Sequence, residues 1–196
     1  MARNGRYRVP LKRRRLNITN YYKRRKYILS GKPRLVVRKS NRYIIAQIIT
    51  TDPIGDKTIA AVNSKELQKY GWKVGFKNTP AAYLTGLLLG KKALKKGIKE
   101  AIVDIGLHTP TPQSKVFAVV KGALDAGLKI PVSEKVLPTE DRIEGRHIAE
   151  YAKMLKEENP EIYNLRFKVF ISRQVDPERI YELFNNVREE IVKTDI

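Results

Sequence analysis

RLVVRKSNRYIIAQIIT, residues 34–50, carries the strongest structural signal in the chain. Its two halves, Arg34 to Lys39 and Tyr43 to Thr50, are rich in β-branched residues, and Ser40-Asn41-Arg42 separates them. Branched side chains pack well on a pleated surface, and a short polar break between two such runs marks a hairpin. A third run, Thr58 to Val62, follows a turn carrying Asp52, Pro53, Gly55 and Asp56. Three strands with short links predict an antiparallel meander.

Downstream the period changes. From Asn78, a helix cap with Pro80 in the first turn, to Lys96, the residues Tyr83, Leu87, Gly90, Leu94 and Ile98 share one helical face. Residues 100–105 (EAIVDI) read as a buried strand, and 106–113 as a Pro/Thr loop. Ser114 caps a helix through Val116, Val119, Val120, Ala123 and Leu124 that ends at Gly127. Strand, loop and helix in that order predict an α/β unit. After Pro131 the texture becomes helical with mixed charge. Residues 140–156 place Ile143, His147, Tyr151, Met154 and Leu155 at helical spacing. Asp176 caps a last amphipathic helix with Pro177 at its first position and Ile180, Leu183, Phe184, Val187 and Ile191 as its stripe.

Upstream, residues 1–10 lack the apolar side chains that would offset the entropy of ordering, so they read as an arm that is disordered when free. Residues 11–29 read as one helix, with Leu11, Ile18, Tyr22 and Leu29 near one stripe and two basic clusters around it. Three segments result: a basic arm and helix (1–30), an α/β body (31–132) and a helical extension (133–196).

Charge gives these segments different partners. The chain has 196 residues, 40 Lys and Arg against 20 Asp and Glu, a formal charge of +20 and a pI near 10.1. Residues 1–51 hold sixteen of the bases and no acid, whereas residues 133–196 hold eleven bases and fourteen acids. An unbalanced excess of this kind opposes compaction unless a polyanion neutralises it. Nucleic acid is the first candidate and an anionic membrane surface the second. No apolar run approaches the ~20 residues of a bilayer span, and the stripe of residues 11–29 is poor in large apolar side chains. Cysteine is absent, which removes disulfides, thiolate chemistry and cysteine zinc sites.

The basic segment interleaves five of the ten tyrosines, Tyr7, Tyr21, Tyr22, Tyr27 and Tyr43. Arginine grips phosphate bidentately, and tyrosine and guanidinium planes stack on unpaired bases. The turn Arg38-Lys39-Ser40-Asn41-Arg42-Tyr43 gathers donors at a hairpin tip, though its spacing equally fits an ordinary polar turn. His108-Thr109-Pro110-Thr111-Pro112-Gln113-Ser114-Lys115 leads into a helix N-terminus, which favours anions, but has no Gly-Lys-Ser/Thr pattern of a nucleotide-hydrolysing loop. Lys91, Lys92, Lys95 and Lys96 suit a helix dipole, and Trp72 suits the core. His108 and His147 have no metal-ligand spacing around them. A nuclease would need converging carboxylates. Asp52, Asp56 and Asp104 are the only set on offer, among strands that supply mainly Arg, Lys and Tyr.

Four strings resemble the large-subunit ribosomal protein family that binds 5S ribosomal RNA, L-eighteen in the older naming. They are KPRLVVRKSNRYIIAQ (32–47), YLTG (83–86), DIGLHTPTPQSKVFAVVKGALDAG (104–127) and Ile130-Pro131. The Thr-Pro-Thr-Pro loop and the Ile-Pro after its helix are similar to the archaeal and eukaryotic branch, and a chain that runs on to Ile196 resembles the archaeal type. The resemblance implies a mixed sheet with packed helices in the order βββαβα, of the translational-machinery or ribonuclease-H-like type. It implies a non-catalytic protein of the cytoplasmic ribosome that clamps 5S rRNA and joins it to 23S rRNA in the central protuberance. Its neighbours there would include the other 5S-associated protein, L-five in bacterial naming. No cofactor, metal, membrane or small-molecule substrate is implied. The RNA-facing residues would be Arg3, Arg6, Arg8, Lys12, Arg13, Arg14, Arg15, Tyr21, Tyr22, Arg24 and Arg25 of the arm, Arg38, Lys39, Ser40, Asn41, Arg42 and Tyr43 of the hairpin, and His108, Thr109 and Lys115 of the loop.

Overall fold

The computed structural model describes residues 5–194. Strands β1 (Arg34–Lys39), β2 (Ile44–Asp52) and β3 (Gly55–Asn63) form the expected meander. A three-residue strand, β4 (Ile102–Asp104), adds to β1 in parallel, so the sheet is mixed, in the order β3-β2-β1-β4. The βββαβα body and its α/β class are therefore as the sequence reads.

Alternation fixes what each strand buries. On β2, Ile44, Ala46 and Ile48 point into the core while Ile45, Gln47 and Ile49 are half-exposed. β1 is buried on both faces over its first four residues. Leu35 and Val37 join the core, while Arg34 and Val36 face the other way.

Helices α3 (Thr79–Lys95) and α4 (Lys115–Asp125) cover the core face. Asn78 Oδ1 accepts the Ala81 N–H and caps α3, with Pro80 in the first turn. Every α3 residue from Thr79 to Gly90 is buried, so this is a central helix and not the one-faced helix its spacing predicts. The two helices cross at glycines. A Cβ on Gly86 would lie 2.0 Å from the Val119 carbonyl oxygen, and one on Gly122 2.1 Å from that of Tyr83.

Three expectations change. The helix read over 11–29 is two pieces, α1 (Lys12–Arg15) and α2 (Tyr21–Leu29). Asn17 adopts φ 51° between them, and Asn20 starts α2 by accepting the Lys23 N–H. Neither piece buries a residue, and the supposed stripe, Leu11, Ile18, Tyr22 and Leu29, is exposed. The helix read over 140–156 breaks at Gly145, φ 86°, into α5 (Glu140–Glu144) and α6 (Arg146–Glu158). Between α6 and the last helix lie two short helices the spacing did not reveal, α7 (Pro160–Arg166) and α8 (Lys168–Ser172). The final helix, α9 (Ile180–Lys193), is as expected: Asp176 caps the turn before it, and Ile180, Phe184, Val187 and Ile191 are buried against α3 and α5.

Trp72 is fully buried in the core. It follows a 3-10 turn, Ser64–Tyr70, that is opened by a reciprocal cap between Asn63 and Glu66.

Candidate nucleic-acid interface

The face of the sheet opposite the core helices is built around one carboxylate. Asp104 lies opposite Val36 in the β1–β4 register, so Arg34 and Arg38 flank it diagonally on the same face. Asp104 Oδ2 is 3.2 Å from Arg34 Nη1, and its Oδ1 is 3.1 Å from Arg38 Nη2 and accepts the Gly106 N–H at 2.8 Å. Arg38 also donates to the Asp104 carbonyl at 2.8 Å. Arg34 reaches Asp56 at 2.8 Å through its other amino group, and Arg24 of α2 meets the same carboxylate at 2.8 Å. Burial pushes the Asp56 carboxyl up, but hydrogen bonds from Arg34 and Arg24 outweigh this and hold it below the usual carboxylate range. Gly106, at φ 65°, leaves room for this packing: a Cβ there would meet the Arg38 guanidinium carbon at 2.8 Å.

The nuclease alternative needs acids converging on a metal, whereas Arg34 bridges Asp56 and Asp104. Arginines occupy the space between Asp56 and Asp104 that a metal would need. Among the described residues no three His, Asp or Glu side chains are grouped to hold an ion.

α1 and α2 lie beside this network and enclose a cleft of about 290 Å³. Arg13, Lys23, Tyr27, Arg38 and His108 are among its walls. The structure thus brings the arm, the strand pair and the loop after β4 together, as their chemistry suggests. Outside the cleft, Lys12, Arg14, Arg15, Arg25 and Lys26 are exposed. Among the described residues no carboxylate pairs with any of these, nor with Arg13 or Lys23. Arg14 sits 5.7 Å over the ring of Tyr22, which is itself 74% exposed, so the pair presents a stacked plane to solvent. Tyr21 is half-buried. Arg6 and Arg8 are exposed, and Arg3 lies outside the described residues.

The hairpin tip is tied by hydrogen bonds between Ser40 and Tyr43. Ser40 donates through both its N–H and Oγ to the Tyr43 carbonyl, and Tyr43 N–H returns a bond to Ser40 Oγ. Lys39, Asn41 and Arg42 project from it into solvent. In the loop, Thr109 is exposed, while His108 and Lys115 are half-buried. Burial, then the charges of Lys39 and Arg38, push the His108 imidazole below its ordinary value. Burial, then Lys77, Lys39 and Arg142, do the same to the Lys115 ammonium. Cations here crowd one another.

Three of the four lysines around the end of α3 have internal partners, while Lys95 is exposed. Lys91 donates to the carbonyls of Ile191 and Val192 at the end of α9, Lys92 pairs with Glu66 at 2.8 Å, and Lys96 donates to the Ile59 carbonyl. Sequence reasoning missed Arg34. The Arg34–Val36–Arg38 alternation, which puts both guanidinium groups on one face, was the signal that could have found it.

Mixed sheet, a cationic face and a carboxylate locked by arginines describe an α/β scaffold with one face suited to a polyanion. The comparisons narrow this class. The sequence model of the family described as ribosomal large subunit proteins 60S L5 and 50S L18 matches residues 5–102 and 95–133. The large ribosomal subunit protein uL18 of Thermofilum pendens is 62% identical over 191 residues, 97% of each chain. Its counterpart in Staphylothermus marinus is 56% identical over 194 residues, 98% of this chain and 96% of that one. The chain belongs to the 60S L5 and 50S L18 family of ribosomal large-subunit proteins, and is a structural component of the ribosome and not an enzyme.

Proposed function

We propose that the protein binds 5S rRNA and links it to 23S rRNA in the central protuberance, beside the other 5S-associated protein, L-five in bacterial naming. The observation that carries this reading is the row of unpaired cations on α1 and α2, set against a cleft that the hairpin strand and the His108 loop complete. Charge on the short helices supplies affinity through phosphate contacts and released counterions. The Arg14–Tyr22 pair and the ordered tip at Ser40 and Tyr43 supply aimed stacking and hydrogen bonding, the features through which proteins select folded RNA. The proposed contacts are those of residues 1–30, the turn Arg38 to Tyr43 and the loop from His108 to Lys115. The body from residue 31 to 132 would hold them in place, and the extension after it would brace α3.

Pull-down from total cellular RNA at moderate salt, followed by sequencing, tests the assignment. Enrichment of 5S rRNA far above its abundance is expected. Recovery of bulk RNA in proportion to abundance would contradict it.

A further inference from the structure

A second groove lies beyond the hairpin tip, and none of its lining residues belongs to the cleft described above. It is larger, about 590 Å³, and its walls come from four parts of the chain. Arg42 and Tyr43 belong to the hairpin, Phe76 and Lys77 to the loop before α3, Lys115 to the first turn of α4, and Arg173 to the turn after α8. Four of these six side chains are cations, and no carboxylate lines the groove. Among the described residues none of the four is in an ion pair.

Its floor is aromatic. Tyr43 and Phe76 rings lie 5.9 Å apart at 36°, both half-exposed, and the Arg173 guanidinium sits 5.7 Å over Phe76. Arg173 is held there by donating to the Lys73 carbonyl. Cations gathered without counter-charge around a tilted pair of half-open rings match a nucleotide strand: phosphates meet the cations and an unpaired base meets the rings. A protein partner would have to bring several carboxylates and a flat apolar group to the same place.

We infer that this groove binds a single-stranded RNA segment, and that Arg173, Lys77 and Phe76 extend the RNA-binding surface across the hairpin onto the C-terminal extension. The inference rests on the ribosomal RNA-binding reading above. It goes beyond it by assigning RNA contact to the extension and to residues outside the arm, hairpin tip and Thr-Pro loop. The strand belongs either to 5S or to 23S rRNA, which share this chemistry.

The test titrates the full chain, the double variant Lys77→Gln/Arg173→Gln, and Lys77→Gln/Lys115→Gln, which keeps the Arg173 tie to Lys73. Each is measured against purified 5S rRNA and, separately, 23S rRNA, with thermal melting of every variant alongside. The expected result is that both variants melt like the parent, yet bind one of the two RNAs tenfold or more weakly. The salt slope should be shallower by about two, near one for each lost cation. Ultraviolet irradiation of the parent complex should cross-link that same RNA to Phe76 or Tyr43. Unchanged affinity and slope for both RNAs would overturn the inference while leaving the arm's role standing. Loss of ribosomal subunit association without loss of RNA affinity would overturn it in favour of a protein neighbour. A parent chain that binds neither RNA would overturn both readings.

Discussion

Asp104 Oδ2 stands 3.2 Å from Arg34 Nη1, and each side chain is less than a tenth exposed. This buried pair joins β4 to β1 on the face where the arm sits, and Arg38 and Asp56 extend it to both sides. Removing one member strands buried charge, which costs more than the pair contributes. Asp104→Asn is expected to destabilise the protein by about 3 kcal/mol, or roughly 6–12 °C in Tm for a chain of this size. Urea unfolding and thermal melting check it, and a Tm within about 2 °C of the parent would count against the network as a structural element.

Asp56 adds an acid limb to the stability profile. Its folded pKa lies below the ordinary value, so its contribution is fully present above the unfolded carboxylate value near 3.9 and is lost as pH falls through the lower folded value. Melting between pH 5 and 2 should show stability falling with pH, and Asp56→Asn should flatten part of that fall.

The glycine crossing of α3 and α4 predicts a steeper effect. A methyl at Gly86 or Gly122 would meet a backbone oxygen at 2.0 or 2.1 Å, a contact that no side-chain rotation relieves. Gly86→Ala and Gly122→Ala are each expected to cost roughly 3 kcal/mol or more by forcing the helices apart. Equilibrium denaturation reads this directly, and near-parental stability would show that the helices separate at little cost.

If His108 meets RNA as proposed, binding gains a pH dependence. Lys39 and Arg38 help depress its pKa in the free protein. Phosphates laid across those cations would offset their field and raise it, so the complex holds more protons than the free chain between the two values. Affinity for 5S rRNA should therefore rise as pH drops through the bound value and level off below the free value. The rise is at most about tenfold for each pH unit separating the bound and free pKa values. His108→Asn should remove this slope. An unchanged slope would place His108 away from the RNA.

The end of α9 hangs on one lysine. Lys91 Nζ donates to the carbonyls of Ile191 and Val192 at 2.9 and 2.6 Å. Lys91→Met should raise hydrogen exchange in the last turn of α9 by an order of magnitude or more, leaving the sheet protected. Equal protection would mean that burial of Ile191 alone holds the helix.

The hairpin, α3, α4 and α9 were legible because their information is local: branched residues around a polar turn, or Asn78 and Asp176 capping just ahead of an apolar stripe; Ser114 stands at the start of α4 as read, but its hydroxyl makes no cap bond. The breaks at Asn17 and Gly145 were not, because apolar residues continue at helical spacing across both while the backbone between them turns left-handed. The Asn63–Glu66 cap was written in the sequence, with acid three residues after its cap, but it opens a 3-10 turn too short for periodicity to mark. The candidate cleft was partly legible, since the arm's cations have no local acid to pair with. That Arg24 and Arg38 also hold Asp56 and Asp104 was not, because those partners lie 32 and 66 residues away. The Phe76–Arg173 stack had no sequence signal at all, since packing alone joins those positions.

The arm carries the central claim. α1 and α2 bury no side chain in the body, so deleting residues 1–30 should leave the sheet and core helices folded. The direct measurement is a titration of 5S rRNA with the full chain and with the 31–196 fragment, each from 50 to 200 mM salt. If about 6–10 phosphates are neutralised, the full chain should lose ~10³–10⁵ in affinity across that range. The fragment should bind far more weakly at 50 mM, with a much shallower slope. Equal affinities and equal slopes for the two proteins would contradict the account.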